Sequence, residues 1–180
     1  MTDIFTLLAV PWIFRVEGGF VDELHDRGGE TKYGISVQYL RRVDGGDINQ
    51  DGVVDADDVR VLTREQAVAF YRRDYWVANG CDILPPVVAL ACFDAAVHHG
   101  PVMGRKLVQR ALGVHDDGIF GHDTLIAIKR VDAKQFLVDY CAHRAAQFAA
   151  IIRGDPLQQR FEYGWMRRLF KLYDYCRAEA

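Results

Sequence analysis

The sequence predicts a mainly α-helical protein with one small β element near residues 18–35. Two stretches, 133–152 and 157–177, place apolar residues every three or four positions, which is the spacing of one helix face. The Pro85-Pro86 pair marks the clearest break between helices. Half of the 180 residues are apolar, so the chain can bury a core without disulfides or metal ions.

Local signals place the helices in order along the chain. Pro11 lies inside the first helix and should kink or break it. Ser36 is a suitable N-cap, and Thr63 with Gln66 forms a capping box at the start of a later helix. Helices are therefore predicted over 3–17, 36–43, 63–76, 87–98, 104–112, 133–152 and 157–177.

Charge is divided unevenly along the chain. Residues 1–100 carry 9 basic and 16 acidic side chains, whereas residues 101–180 carry 13 basic and 9 acidic ones. A basic C-terminal part suits a polyanionic partner such as a bacterial envelope. No nucleic-acid-binding motif accompanies this charge, so a nucleic-acid partner is not expected.

The cysteines and the N-terminus add few constraints. The four cysteines form no CxxC pair and no metal-ligand spacing, so we expect reduced thiols, although their even number leaves a disulfide open. The apolar start lacks the basic region and cleavage site of a signal peptide, and Asp3, Pro11 and Arg15 interrupt it. We therefore expect a protein that is made in the cytoplasm and has no membrane span. We also expect it to be a monomer.

The most informative stretch runs from Val16 to Ser36 and contains two Gly pairs. Because such pairs let the backbone turn sharply, Glu17 should end a helix, and Asp26 and Thr31 should return toward it on a short hairpin. Glycoside hydrolysis uses one carboxyl as an acid and a second polar group that places water or stabilises charge. Each residue also has a structural alternative: Glu17 could simply end a helix, Asp26 could start a turn, and Thr31 could cap a helix.

This stretch resembles the N-terminal motif of the glycoside hydrolase family 108 muramidases. The family pattern E-G-G-Y/F followed by D-x-G-G-x-T-x-x-G-I-S stands here as Glu17–Phe20 and Asp26–Ser36. The resemblance covers nearly the whole chain and implies a lysozyme-like helical fold with a small β-hairpin near the active site. It also implies that Glu17 is the general acid, while Asp26 and Thr31 place water or stabilise the oxocarbenium-like state.

The function implied by this resemblance is hydrolysis of the β-1,4 bond between N-acetylmuramic acid and N-acetylglucosamine in peptidoglycan. The expected setting is a phage endolysin, or a relative in a bacterial genome, that acts on the periplasmic cell wall after release. Two alternatives stay open. A lytic transglycosylase also relies on one Glu but leaves a 1,6-anhydro sugar, and a peptidoglycan-binding module without activity would bind walls and not clear them.

The same resemblance divides the chain into two parts. Residues 1–86 are expected to be catalytic, and residues 87–180 are expected to form a helical peptidoglycan-binding part packed on them. A D-G-x-x-G-x-x-T element similar to that of peptidoglycan-binding modules consists of Asp117, Gly118, Gly121 and Thr124. The outer side of the last helix is expected to carry Arg167, Arg168 and Lys171.

Residues 47–58 match the EF-hand loop at five positions, and their final Asp resembles the calcium loop of dockerin repeats. We expect a structural calcium ion there, with Gly52 making the sharp turn. The alternative is an acidic surface loop. The expected oxygen ligands are Asp47, Asn49, Asp51, the carbonyl of Val53, Asp55 and Asp58.

Five more residues are candidates for substrate contact: Tyr33, Tyr71, Tyr75, Asp94 and His98. Aromatic faces such as those of Tyr71 and Tyr75 can stack on sugars, but aromatic residues at helical spacing also serve as core. Asp94 and His98 lie four positions apart on one helix face, where a structural hydrogen bond is the alternative to a position in the cleft.

Overall fold

The computed structural model describes residues 3–17 and 31–179, which fall into two units. One unit comprises Val10–Arg73, and the other joins residues 3–9 to residues 74–179. The fold is mainly α-helical and lysozyme-like with one two-stranded antiparallel hairpin among the described residues, which confirms the predicted fold class. Within these residues no helix is both long and apolar enough to cross a bilayer.

The unit Val10–Arg73 is built from short elements. Its hairpin pairs Thr31 with Ser36 and Lys32 with Ile35. Its described elements are α1 (Val10–Glu17), β1 (Thr31–Lys32), β2 (Ile35–Ser36), α2 (Val37–Leu40), α3 (Ala56–Val61) and α4 (Arg64–Tyr71).

Local sequence signals explain where these elements begin. The Ser36 hydroxyl accepts a hydrogen bond from the backbone N–H of Tyr39 and caps α2. Thr63 and Gln66 form the expected capping box of α4. A π-helical turn, Phe5–Ala9, precedes α1. The chain stays helical past Pro11, so the expected break does not occur there. The change to a π-helical turn lies just before Pro11, which has no N–H to donate to the preceding turn.

The second unit contains the long helices, and its centre is α5. Ten consecutive α5 residues, Val87–Ala96, are buried, so this helix is enclosed on every side, and all but Asp94 of these ten residues are apolar. A Cβ on Gly104 would lie 2.9 Å from the Ala96 nitrogen, so Gly104 lets α6 lie directly against α5. All four cysteines of the chain are free thiols, as expected.

The helices of this second unit are α5 (Pro86–His99), α6 (Pro101–Ala111), α7 (His122–Lys129), α8 (Ala133–Gly154) and α9 (Glu162–Cys176). Short 3-10 turns occupy Val77–Asn79, Cys81–Ile83 and Pro156–Phe161, and a π-helical turn, Arg72–Trp76, follows α4.

A buried ion cluster joins three of these helices. Asp94 of α5 and Arg144 of α8 are both 0% exposed and are bound to each other by a charged hydrogen bond. Arg168 of α9 reaches the other carboxylate oxygen of Asp94 with its Nε at 2.9 Å and its Nη2 at 2.7 Å. Arg168 therefore points into the core, which corrects its expected place on the outer side of α9. The two cations together satisfy a carboxylate that could not be buried alone.

Two histidines at the end of α5 lie beside this cluster. The Arg144 Nη2 is 3.3 Å from the Nδ1 of His98. Burial and the charges of Arg144 and Arg168 lower the pKa of His98 to about 4, although Asp94 acts in the opposite direction. Burial, with Arg144 and the neighbouring His98, lowers the pKa of His99 to about 3. Both imidazoles are therefore neutral in the folded protein at pH 7.

These lowered pKa values predict that stability falls in weak acid. Below the ordinary histidine pKa of 6.5, both histidines bind protons in the unfolded chain. In the folded chain His98 binds a proton only near pH 4 and His99 only near pH 3. In that window the free energy of unfolding should fall by up to about 1.4 kcal/mol per pH unit for each histidine. Urea titrations between pH 7.5 and 4.5 measure the slope.

His98→Gln and His99→Gln are the variants that isolate this effect, and His122→Gln, on the exposed first turn of α7, is the control. The first two should flatten the pH dependence, and the control should keep it. Equal slopes in all four proteins would show that the two histidines titrate normally in the folded state.

Candidate active site

Glu17 is the last residue of α1 and is half-buried. The turn of the hairpin lies against its side chain. At Gly34, where φ is +77°, an added Cβ would lie 3.1 Å from Glu17 Cγ and would overlap the hydroxyl oxygen of Tyr71. Gly34 therefore meets two requirements at once: it adopts the left-handed backbone of the turn, and it leaves room for the carboxylate side chain.

Tyr71 holds the hairpin turn in place from the end of α4. Its hydroxyl donates a 3.0 Å hydrogen bond to the carbonyl oxygen of Tyr33. The ring is only 2% exposed, so it has no free face for a sugar. This geometry gives Tyr71 a supporting role beside Glu17, in place of the stacking role that the sequence suggested.

Aromatic and cationic groups pack near the end of α1. The ring of Phe14, one turn before Glu17, meets the ring of Tyr33 edge to face at 5.8 Å. The guanidinium of Arg64 lies 4.5 Å from the centre of the Phe14 ring. Tyr33 is half-buried, so part of its surface is open, and its contact with substrate stays a prediction.

Of the other two predicted catalytic residues, Thr31 is described by the structure and Asp26 is not. Thr31 begins β1 and is exposed, and its strand pairing with Ser36 places it on the same hairpin as Gly34. Asp26 lies outside the described residues. The catalytic roles of both residues stay predictions.

The remaining substrate candidates lie in the second unit. Tyr75 is half-buried in a π-helical turn, and its carbonyl accepts a 2.7 Å hydrogen bond from Asn79, so its ring contact with sugar stays a prediction. Asp94 instead belongs to the ion cluster of the core, whereas His98 is half-buried beside that cluster and its contact with substrate stays a prediction. Asp94 has no exposed surface, because Arg144 and Arg168 enclose its carboxylate. The structure thus favours the structural alternative for Asp94.

The 47–58 loop is closed by its own acidic side chains. Asp58 is fully buried, and its carboxylate accepts hydrogen bonds from the backbone N–H groups of Ile48, Asn49 and Asp55. These bonds lower the pKa of Asp58 against the opposing effect of burial. Asp55 forms a capping box with Asp58 at the start of α3. In this arrangement the carboxylate of Asp58 binds backbone N–H groups, whereas the EF-hand pattern predicts that it binds calcium.

The first half of the same loop turns sharply at Gly52. Asp47 accepts a 2.9 Å hydrogen bond from the N–H of Gly52, where φ is +90°. The other oxygen of Asp47, Oδ1, is buried without a hydrogen-bond partner. Across residues 3–17 and 31–179, no group of three or more His, Cys, Asp or Glu side chains stands close enough to hold a metal ion. The calcium site stays a prediction.

Gln109 is a structural residue that the sequence analysis missed. It is 1% exposed, and its amide bonds to Asp117 at 2.8 Å, to the Ile119 carbonyl at 2.9 Å and to Thr124 at 3.2 Å. Its own oxygen accepts the N–H of Gly118 at 2.7 Å. The D-G-x-x-G-x-x-T element is therefore a loop wrapped around one buried amide. A polar residue inside the amphipathic helix α6 was the only available signal.

Comparisons with known proteins identify relatives of this chain. Residues 10–100 match the glycosyl hydrolase 108 family, and residues 103–170 match a predicted peptidoglycan domain. The solved structure of Brucella abortus SagA is similar to this chain, with 32% identity, a TM-score of 0.77 and coverage of 95% of this chain and 92% of that one. A search among curated proteins found no match.

The glycosyl hydrolase match, followed along the chain by the predicted peptidoglycan domain, indicates a peptidoglycan hydrolase. More particularly, the chain belongs to the glycosyl hydrolase 108 family.

Tyr71→Phe is predicted to loosen the turn next to Glu17. The variant keeps the buried ring and removes the hydrogen bond to the Tyr33 carbonyl, which should cost about 1 kcal/mol of unfolding free energy. Turnover should fall as well, because the turn no longer holds its place beside the carboxylate. Urea denaturation and peptidoglycan hydrolysis rates measure the two effects.

The control for this prediction is Tyr173→Phe, which removes a hydroxyl from an exposed ring. It should change stability by less than about 0.5 kcal/mol. If Tyr71→Phe matched the wild type in both stability and rate, the supporting role of its hydroxyl would be wrong.

Proposed function

We propose that this protein cleaves the β-1,4 bond between N-acetylmuramic acid and N-acetylglucosamine by hydrolysis, with Glu17 as the general acid. The observation that carries the proposal is the half-buried carboxylate side chain at the end of α1, with the turn at Gly34 against it. A general acid must reach the leaving oxygen of the glycan, and a helix end facing a turn leaves one side of the carboxyl accessible.

The surroundings of Glu17 can help to exclude water when substrate is bound. Phe14 and Tyr33 place aromatic rings close to the helix end. When a glycan covers this region it displaces water from around the carboxyl and the leaving oxygen. Glu17 can then donate its proton to the leaving oxygen as the bond breaks.

A second polar group is needed for hydrolysis. Thr31 is exposed on the hairpin, where its hydroxyl can bind a water molecule, and we assign it that role together with Asp26. We further propose that the enzyme acts as an endolysin on the periplasmic wall. The alternative, a lytic transglycosylase, needs no water and would leave 1,6-anhydro ends.

Glu17→Gln is the test of the central assignment. The substitution keeps the shape of the side chain and removes the proton, so the turnover number should fall at least about 100-fold while folding stays intact. The measurement is muropeptide release from purified peptidoglycan, followed by mass spectrometry. Mass spectrometry also separates reducing ends, which hydrolysis produces, from 1,6-anhydro ends.

Glu65→Gln is the matched control, because Glu65 is an exposed residue in the first turn of α4. It should keep the wild-type rate. Near wild-type release by the Glu17 variant would remove Glu17 from the mechanism. Anhydro products from the wild type would assign the chain to the transglycosylase chemistry instead.

We propose as a second function that the 47–58 loop binds a structural calcium ion. The supporting observation is the buried Oδ1 of Asp47, an anionic oxygen without a hydrogen-bond partner in a loop that turns at Gly52. Asp47, Asn49 and Asp51 are the oxygen donors of the first half of the loop, and calcium prefers such ligands. The backbone bonds of Asp58 would have to rearrange if that residue also joined the ion.

Calcium binding predicts a metal-dependent melting temperature. An ion that binds the folded chain at a hundredfold excess over its Kd stabilises it by about 2.7 kcal/mol, which corresponds to roughly 5 °C or more for a chain of this size. EGTA should lower the melting temperature, calcium should restore it, and magnesium should restore it poorly. Differential scanning fluorimetry of protein shown to be metal-free provides the measurement.

Asp47→Asn should abolish the calcium effect, whereas Asp44→Asn, outside the twelve-residue loop, should retain it. A melting temperature indifferent to calcium in the wild type would leave residues 47–58 as an acidic surface loop.

A further inference from the structure

The outward side of α9 carries an unusual number of exposed aromatic rings. Tyr163 is 79% exposed, Phe170 is 71% exposed and Tyr173 is 37% exposed. They recur at intervals of seven and three residues and therefore share one helix face. The opposite face of α9 supplies the core with Leu169, Leu172 and Cys176, so packing within this unit does not explain the exposed rings.

Cations alternate with these rings. Arg167 is exposed and Lys171 is half-buried, and both line an open groove of about 520 Å³ with Tyr163 and Phe170. A second groove of about 660 Å³ continues from Asp174 and Tyr173 toward α8. That groove is also lined by Lys134 and by Arg177, whose Nε pairs with Asp174 at 2.9 Å. Lys134, Arg167 and Lys171 keep the combined surface basic.

Sugar polymers that carry carboxylates fit this combination. The flat carbon–hydrogen faces of pyranose rings pack on aromatic rings, and the cations pair with acids held between the sugars. Tyr163 and Phe170 lie seven residues apart, about 10 Å along the helix axis, which is long enough for more than one sugar ring. Peptidoglycan has both components, because its glycan strand bears stem peptides with free carboxylates.

We propose that this aromatic–cationic face of α9 binds peptidoglycan. The glycan strand lies over Tyr163 and Phe170, and stem-peptide carboxylates pair with Arg167 and Lys171. This inference rests on the proposed function because both concern the same polymer, and it adds the surface at which that polymer binds. It assigns the binding surface to the end of the predicted peptidoglycan domain, whose match ends at residue 170.

Charge favours this occupant over a second copy of the chain. A two-fold symmetric contact through the same face would bring Arg167 and Lys171 of each copy close to the cations of the other. The anionic polymer neutralises the same cations. The basic residues therefore discriminate between the two occupants, whereas the aromatic rings alone would not.

The experiment is co-sedimentation of the full chain with purified peptidoglycan sacculi, in a Glu17→Gln background that keeps the polymer intact. Tyr163→Ala with Phe170→Ala should raise the apparent Kd at least about tenfold, since each ring loses its stacking contact. Arg167→Gln with Lys171→Gln should weaken binding at low salt and reduce its dependence on salt, because paired charges are screened.

Two matched controls use exposed residues elsewhere in the same unit. Ile83→Ala with Ile119→Ala removes apolar side chains that are 73% and 67% exposed, and Arg130→Gln with Arg153→Gln removes two exposed cations. Both control proteins should bind sacculi as the parent does. Circular dichroism and melting temperatures check that every variant is folded.

Several outcomes would overturn the proposal. Binding that is unchanged in both α9 variants would exclude this face. If the parent formed dimers that the α9 variants lost while sacculus binding stayed intact, the face would be a contact between copies. Binding to anionic lipid vesicles in place of sacculi would assign it to a membrane surface.

The failure of the proposed function has a different signature. It would appear as hydrolysis by the Glu17 variant, or as wild-type protein that binds sacculi through α9 but releases no muropeptides. Sacculus binding and muropeptide release are therefore measured on the same preparations.

Discussion

The carboxylate of Asp94 is the constraint on which the helical unit depends. It accepts charged hydrogen bonds from Arg144 of α8 and Arg168 of α9, so one side chain of α5 fixes two other helices. A buried ion of this kind is destabilising without its partners, by roughly 3–5 kcal/mol when one is removed. The three helices therefore have one arrangement that satisfies the cluster, and this arrangement directs the other face of α9 to solvent with its rings and cations.

The position of Glu17 likewise depends on a small number of neighbouring residues. The hairpin turn can approach the carboxylate because residue 34 has no side chain, and Tyr71 holds the turn through the carbonyl of residue 33. The position of the Glu17 side chain thus depends on a glycine and on a tyrosine that has no exposed face. Rigid support of this kind would keep the proposed acid within reach of the scissile oxygen, where small displacements cost large factors in rate.

The family assignment bears on two regions of the protein, the end of α1 at Glu17 and the aromatic–cationic face of α9. Residues 10–100 match a glycosyl hydrolase and residues 103–170 match a predicted peptidoglycan domain. An enzyme that works on an insoluble polymer gains from a second contact, because binding at one site raises the local concentration of substrate at the other. The aromatic–cationic face of α9 is suited to that contact, while the D-G-x-x-G-x-x-T element, which is bound to Gln109, serves to shape a loop.

The sequence by itself determined the helical fold, the caps at Ser36 and Thr63, and the position of Glu17 at a helix end, because these features depend on residues close together in the chain. Tertiary structure alone decided the inward direction of Arg168, the burial of Tyr71 and the enclosure of Asp94. The partners of these residues lie 74, 38 and 50 positions away, respectively. Local patterns contain no information about such distant partners, and a cation or a tyrosine at helical spacing can face either side until the neighbouring helices are in place.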